Sequence, residues 1–262
     1  NDLFISDKSQ GKLSYTLSTT VGRGYNSTGW SWGADFFDYD NDADDDLYVL
    51  NGMNEYAVYS ERAYEENIDN PAYSTNGMRR IMPVKEKETN VFFTNQDGKL
   101  INTTIDSGLD VLINSRSAAY LDFDNDGDLD VAVNNFHADS LFFENTLNSK
   151  ETHSLSIRLI GNPMKKTNRD AIGAKIVATL PDGNKIYREV SSSRAYLTTH
   201  PKEQHIGLGQ YQLTDVIITW PNGEKQVITQ LKSGHRYFIH QGGEVKIVAQ
   251  APLNTSKNSQ VK

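Results

Sequence analysis

The sequence predicts an all-β chain in two parts, a repeat array followed by a small sandwich or barrel, on three observations. An aspartate-alternating stretch occurs twice in register, as GADFFDYDNDADDDLYVLNG at 33–52 and SAAYLDFDNDGDLDVAVNNF at 117–136, and each copy runs into a strand-like alternation followed by Asn. A second motif, a polar residue, an apolar pair, then Asn or Ser and a turn, recurs near residues 1, 90 and 139. Beyond residue 148, seven short alternating segments are punctuated by turn signals such as Pro181-Asp182-Gly183 and Pro221-Asn222-Gly223. Alternation of period two buries one face of a sheet and leaves the other wet.

The first part is a set of internal repeats, and a unit of roughly 50 residues or fewer means a propeller, a solenoid or an array. Asn90 stands about one unit before the copy at Ser140, whereas 89 residues separate it from Asn1, so the first unit carries an insertion over about 52–89. That segment loses the alternation, fits one helix in its first part and gains Tyr56, Tyr59, Tyr64 and Tyr73. Tyrosine buries large area with few rotors, so these rings either contact a partner or pack the insertion onto its own array.

The second part reads as strands at SLSIRLIGN (154–162), AKIVATL (174–180), KIYREV (185–190), DVIITW (215–220), KQVITQL (225–231), RYFIHQ (236–241) and VKIVAQ (245–250). Trp220, ahead of Pro221, is expected to be a core aromatic ending a strand, and Gly173, Gly207 and Gly209 to mark bulges or close backbone approach. Residues 249–262 are polar and aperiodic, a disordered or docking tail.

Composition narrows the function. The chain has 262 residues, 37% of them hydrophobic, enough for a substantial core. There is no apolar run long enough for a transmembrane segment, no signal-like start and no initiator Met, so the numbered chain reads as an internal or C-terminal piece. Net charge is -8, and the two aspartate stretches supply 11 of the 34 acidic side chains, so the acidity is local. With no basic stripe, nucleic acid is not an expected partner. The absence of cysteine removes disulfides, thiol catalysis and thiolate metal sites.

Alternate residues of a tight loop fold toward one centre, and calcium takes six to eight oxygens in an irregular shell. In the second loop Asp122, Asp124, Asp126 and Asp130 are expected to ligate through side chains and Asp128 through its carbonyl, with Gly127 at the sharp turn. By position, Asp38, Asp40, Asp42 and Asp46 supply side chains in the first loop and Asp44 its carbonyl. Two calcium sites follow. Ala43 occupies the place of that glycine and is expected to weaken the first site, while Asp45 adds charge. A helical calcium hand would need Glu at position twelve, where Val49 and Val133 stand.

A ninth-position aspartate feeding a strand resembles the FG-GAP or VCBS repeat of integrin-like propellers, over about residues 1–149. In TNRDAIGAKI (167–176), HIGLG (205–209) and WPNG (220–223) the order and spacing resemble the ASPIC/UnbV domain, as in cartilage acidic protein, here 150–248. The resemblance implies an all-β fold: the C-terminal blades of a calcium-binding β-propeller, then a small β-sandwich-like domain, with further blades supplied elsewhere because two repeats cannot close a propeller.

Other candidate chemistry is thin. Asn168, Arg169 and Asp170 fit a buried Arg–Asp pair holding a loop, or a ligand patch. His200 and His205 lack a third zinc ligand nearby, and Ser191, Ser192 and Ser193 lack a nucleophile elbow and read as a turn. The expected function is therefore a non-catalytic, calcium-stabilised binding protein, extracellular or at the cell surface, contacting another protein or a glycan. Bacterial relatives suggest association with an outer-membrane complex. The alternative is a calcium-dependent carbohydrate-active enzyme using the ion as a Lewis acid.

Overall fold

The computed structural model describes residues 4–7, 14–17, 28–52, 88–146 and 151–249. The insertion with Tyr56, Tyr59, Tyr64 and Tyr73, its expected helix, and the tail from 250 onward lie outside the described residues. Among the described residues the chain is all-β apart from a four-residue helix α1 (Thr104–Ser107) and a 3-10 turn at Pro163–Lys165. A closed propeller is not formed by the described residues. Packing gathers the chain into two compact units. One comprises Asn1–Asp35, Leu47–Ala118 and Val133–Leu141; the other comprises Phe36–Asp46, Ala119–Ala132 and Phe142–Lys262.

The N-terminal half runs β1 (Phe4–Asp7), β2 (Ser14–Leu17), β3 (Ser31–Phe37), β4 (Asp46–Asn51), β5 (Glu88–Thr89), β6 (Val91–Gln96), β7 (Lys99–Asn102), β8 (Leu112–Ile113), β9 (Ser115–Leu121), β10 (Asp130–Asn135) and β11 (Leu141–Phe143). Strands β3-β4-β6-β7 form one sheet and β11-β10-β9 another, with β1-β2 and β5-β8 as separate pairs. Leu47, Val49, Phe93 and Leu100 make an apolar cluster in the first unit. The Asn that follows each aspartate stretch is now explained. Asn51 and Asn135 are buried at the ends of β4 and β10 and are joined through Asn90 and Ser115. Asn90 accepts from the Asn51 N–H at 2.9 Å and donates to Ser115 Oγ at 2.8 Å, while Ser115 donates to Asn135 at 2.8 Å. The Arg116 guanidinium lies 4.6 Å from the Trp32 ring and 4.9 Å from Phe136, so its charge is buried against π faces.

In the second unit, two four-stranded sheets share one core. Strands β12 (His153–Ile160), β15 (Glu203–Gly209), β18 (His235–His240) and β19 (Val245–Ala249) are ordered β15-β12-β18-β19, with β12 and β18 parallel. Strands β13 (Lys175–Thr179), β14 (Lys185–Glu189), β16 (Leu213–Thr219) and β17 (Lys225–Lys232) are ordered β14-β13-β16-β17. Leu155, Ile157, Ile206 and Ile239 from the first sheet meet Ile176, Ala178, Val216 and Ile218 from the second. Trp220 is 2% exposed and follows the end of β16, as expected. The seven expected strands are joined by an eighth, β15, whose two glycines carry little strand propensity and hid it from the alternation rule.

Because Asn90 satisfies backbone and side-chain partners in a dry interior, its truncation leaves several of them unmatched. Asn90→Ala is expected to lower the unfolding free energy by about 2–3 kcal/mol, read by urea denaturation.

Candidate metal centres in the aspartate loops

The two loops have the same backbone, not only the same spelling. Asn41 and Asn125, at the fourth position, take left-handed φ values of 62° and 63°, and Ala43 and Gly127, at the sixth, take 81° and 98°. In each loop the ninth carboxylate fastens the second residue: Asp46 Oδ2 accepts the Tyr39 N–H at 3.1 Å, and Asp130 Oδ2 the Phe123 N–H at 2.9 Å. Asp130 Oδ1 also accepts the Asn145 N–H at 2.8 Å. Val49 and Val133, at position twelve, are buried strand residues.

These turns bring carboxylates together. One oxygen from each of Asp38, Asp40 and Asp42 lies within 4.8 Å of the others, and the same holds for Asp122, Asp124 and Asp126. Asp44, Asp46, Asp128 and Asp130 stand outside these tight sets. Asp128, expected to act through its carbonyl, also buries its side chain, and among the described residues neither carboxyl oxygen has a hydrogen-bond partner. Asp38 is 1% exposed, and its Oδ1, like Oδ1 of Asp40, has no hydrogen-bond partner among the described residues. Buried carboxylate oxygens without donors, converging from alternate residues, are the donor set of a hard dication. The residues present therefore fit calcium, which would supply the missing positive charge.

Electrostatics point the same way. Burial, together with neighbouring aspartates, pushes Asp40 and Asp122 up to about 6 and Asp128 up to about 9. Asp38 is raised well above the ordinary carboxylate range, first by burial and then by Asp45. Asp126 and Asp130 are raised as well, mainly by burial.

Ala43 accepts its left-handed backbone, which costs about 1 kcal/mol relative to glycine. Its methyl group packs against the core of the second unit, a contact glycine would lose. Asp45 adds negative charge beside Asp38, as expected, and is itself paired with Arg188 through two hydrogen bonds of 2.7 and 3.1 Å.

The other candidates are corrected or placed. Asp170 pairs with Arg158 at 2.7 Å, not with Arg169, and is half exposed, so the buried Arg–Asp pair is not formed. Asn168 holds the loop instead, bonding both the N–H and the C=O of Ile172. His205 Nε2 lies 2.6 Å from Asn41 Oδ1, and His200 Nδ1 accepts the Tyr120 N–H at 3.3 Å while stacking on that ring. One nitrogen of each histidine is thus committed to protein. Both line a narrow cleft of about 70 Å³ together with Phe37, Tyr120 and Arg188. Ser191 to Ser193 lie in irregular backbone, where Ser191 Oγ donates to the Ser193 carbonyl at 2.5 Å. Sequence reasoning missed Asn41, Asn125, Arg188, Arg236 and Ser154; only the repeated Asn at loop position four was visible as a signal.

Residues 164–246 match the family model described as ASPIC and UnbV. No curated protein matches the chain. Among solved structures, a "putative cell adhesion protein" from Bacteroides uniformis ATCC 8492 is similar at 12% identity, covering 64% of this chain and 85% of that one, with a TM-score of 0.23, too low to carry a fold. Among the described residues no helix is long and apolar enough to cross a membrane.

Two outcomes are expected. In the cation-free protein, folded Asp40 and Asp122 hold protons that the unfolded chain has already released between about pH 4 and 6. Their contribution to stability is therefore present at low pH and lost as pH rises through about 6. The rise in melting temperature on adding calcium should then be larger at pH 7.5 than at pH 5, measured by scanning calorimetry. Ala43→Gly should change the unfolding free energy by less than about 1 kcal/mol, because relief of strain and loss of packing offset each other.

Proposed function

We propose that the chain is a calcium-stabilised, non-catalytic binding protein acting outside the cell or at its surface, where it contacts another protein or a glycan. Residues 1–149 are read as FG-GAP or VCBS propeller repeats with an insertion at about 52–89, residues 150–248 as the ASPIC/UnbV domain, and 249–262 as a polar tail. An association with an outer-membrane complex belongs to the same reading.

One observation carries it: two loops of matching backbone each converge three carboxylates within 4.8 Å and leave buried oxygens without donors. The antiparallel run β4-β6-β7, with β3 beside it, has the strand content of one propeller blade, and β9-β10-β11 repeats its beginning. Each ninth carboxylate is bonded to loop backbone, an arrangement that ties the strand after the loop to the residues before it. Such an arrangement supports the reading of a structural ion at a corner.

Titration of chelator-stripped protein with calcium should show two sites, with affinities in the range of roughly 10⁻⁵ to 10⁻³ M typical of sensors and extracellular modules. Asp124→Asn with Asp126→Asn should remove one of them and leave the other. Chelation should lower thermal stability and capture of the native surface partner together. Turnover of a bound polysaccharide, lost on chelation while the fold persists, would establish a calcium-dependent carbohydrate-active enzyme instead.

A further inference from the structure

We infer that the segment His205-Ile206-Gly207-Leu208-Gly209 of β15, with Arg188 of β14 and Arg236 of β18, is a seat that grips both aspartate loops and holds them in cation-binding shape. The cation half of this inference rests on the reading above; the grip itself does not.

The closest approach is at Gly207. A Cβ on that residue would lie 2.0 Å from Asp38 Oδ2 and 2.9 Å from the Asn41 Cα, so the strand and the first loop meet only because there is no side chain. Two residues on, the Gly209 N–H donates to the Asn41 carbonyl at 2.8 Å. Two residues before Gly207, His205 Nε2 reaches Asn41 Oδ1 at 2.6 Å. The Asn41 amide nitrogen donates to the Gly127 carbonyl at 3.0 Å, so its oxygen is the acceptor and His205 is the donor. One asparagine thereby joins the first loop to the seat and to the second loop.

The second loop is held in the same manner from two other strands, β18 and β12. Arg236 donates to Asn125 Oδ1 while pairing with Glu203, and Ser154 Oγ donates to the Gly127 carbonyl at 2.5 Å. Arg188 completes the first grip: it binds Asp45 twice and donates through Nε to the His205 carbonyl at 3.0 Å. Thr152 donates to the Asp40 carbonyl at 2.9 Å.

The side chains of the seat reach the loops beside the clustered carboxylates: His205 ends on Asn41, Arg236 on Asn125 and Glu203, Arg188 on Asp45, and Ser154 and Thr152 on the carbonyls of Gly127 and Asp40, while one oxygen from each of positions one, three and five converges. Holding each asparagine fixes a left-handed residue between two of those aspartates, a conformation that asparagine adopts more readily than most residues and that these contacts hold in place. The partner such a seat fits is therefore an aspartate loop with asparagine at position four. It also gives the HIGLG motif a physical reason: an imidazole donor, then a bare backbone for the loop to rest on.

The test is hydrogen–deuterium exchange with calcium titration on the full chain, wild type against His205→Gln, Asn41→Ala and Gly207→Ala. In the wild type, exchange at the Gly209 amide is slow and quickens at least tenfold on chelation, while Ile176 and Ile218 stay protected. His205→Gln weakens the first-loop affinity about tenfold, the loss of one buried hydrogen bond, and leaves the second within about threefold; Asn41→Ala, which also loses the bond to the Gly127 carbonyl, weakens the first at least tenfold and the second as well. Should Gly207→Ala fail to fold, the other two variants decide. Wild-type exchange at Gly209 and wild-type calcium affinity in both of them overturn the inference. A wild-type chain that takes up no calcium overturns the cation reading and the coupling with it. Gly209 exchange in cation-free Asn41→Ala then judges the grip alone: quickened, it stands; unchanged, it falls.

Discussion

Mutual repulsion among the loop carboxylates is the constraint on which the rest of this fold depends. Burial strips these carboxylates of hydration, and two unit charges within 4.8 Å of each other, as in each acidic triad, repel by at least roughly 3 kcal/mol at an effective dielectric of 20. Neighbouring cations do not cancel this. Arg188 is engaged by Asp45, and Arg236 by Glu203 and Asn125. The aspartates must therefore either take up protons, which their raised affinities describe, or share a dication. At neutral pH the second course satisfies all members of a triad at once.

The loops are built to resist that repulsion from outside. Left-handed residues at positions four and six reverse the chain twice within a few residues, and the ninth carboxylate fastens the second N–H. The C-terminal sheet then adds hydrogen bonds from three strands and a bare glycine surface. Rigidity obtained in this way reduces the ordering an ion must impose on binding. It also gives the all-β C-terminal domain a mechanical part in the chain.

Much of this was legible in the sequence. The aspartate alternation, duplicated in register, revealed both loops, and Val49 and Val133 excluded the helical hand. The alternating segments and Pro-Asp-Gly or Pro-Asn-Gly turns located seven of the eight strands around Trp220. The residues that escaped notice act over long separations: Arg188 reaches Asp45 across 143 positions and His205 reaches Asn41 across 164. Such pairs leave no periodic trace. Asp170 shows the converse error, since adjacency to Arg169 suggested a pair, whereas the sheet presents Arg158. Asn51 and Asn135 were visible as a repeat, yet their hydrogen-bonded chain through Asn90 and Ser115 required the fold.

Anomalous diffraction from crystals grown in calcium-replete buffer addresses the electrostatic premise most directly. The premise predicts one peak at the centre of Asp38, Asp40 and Asp42 and another at the centre of Asp122, Asp124 and Asp126, with oxygens at about 2.3–2.6 Å. Water at both centres, or no density at either, would contradict it.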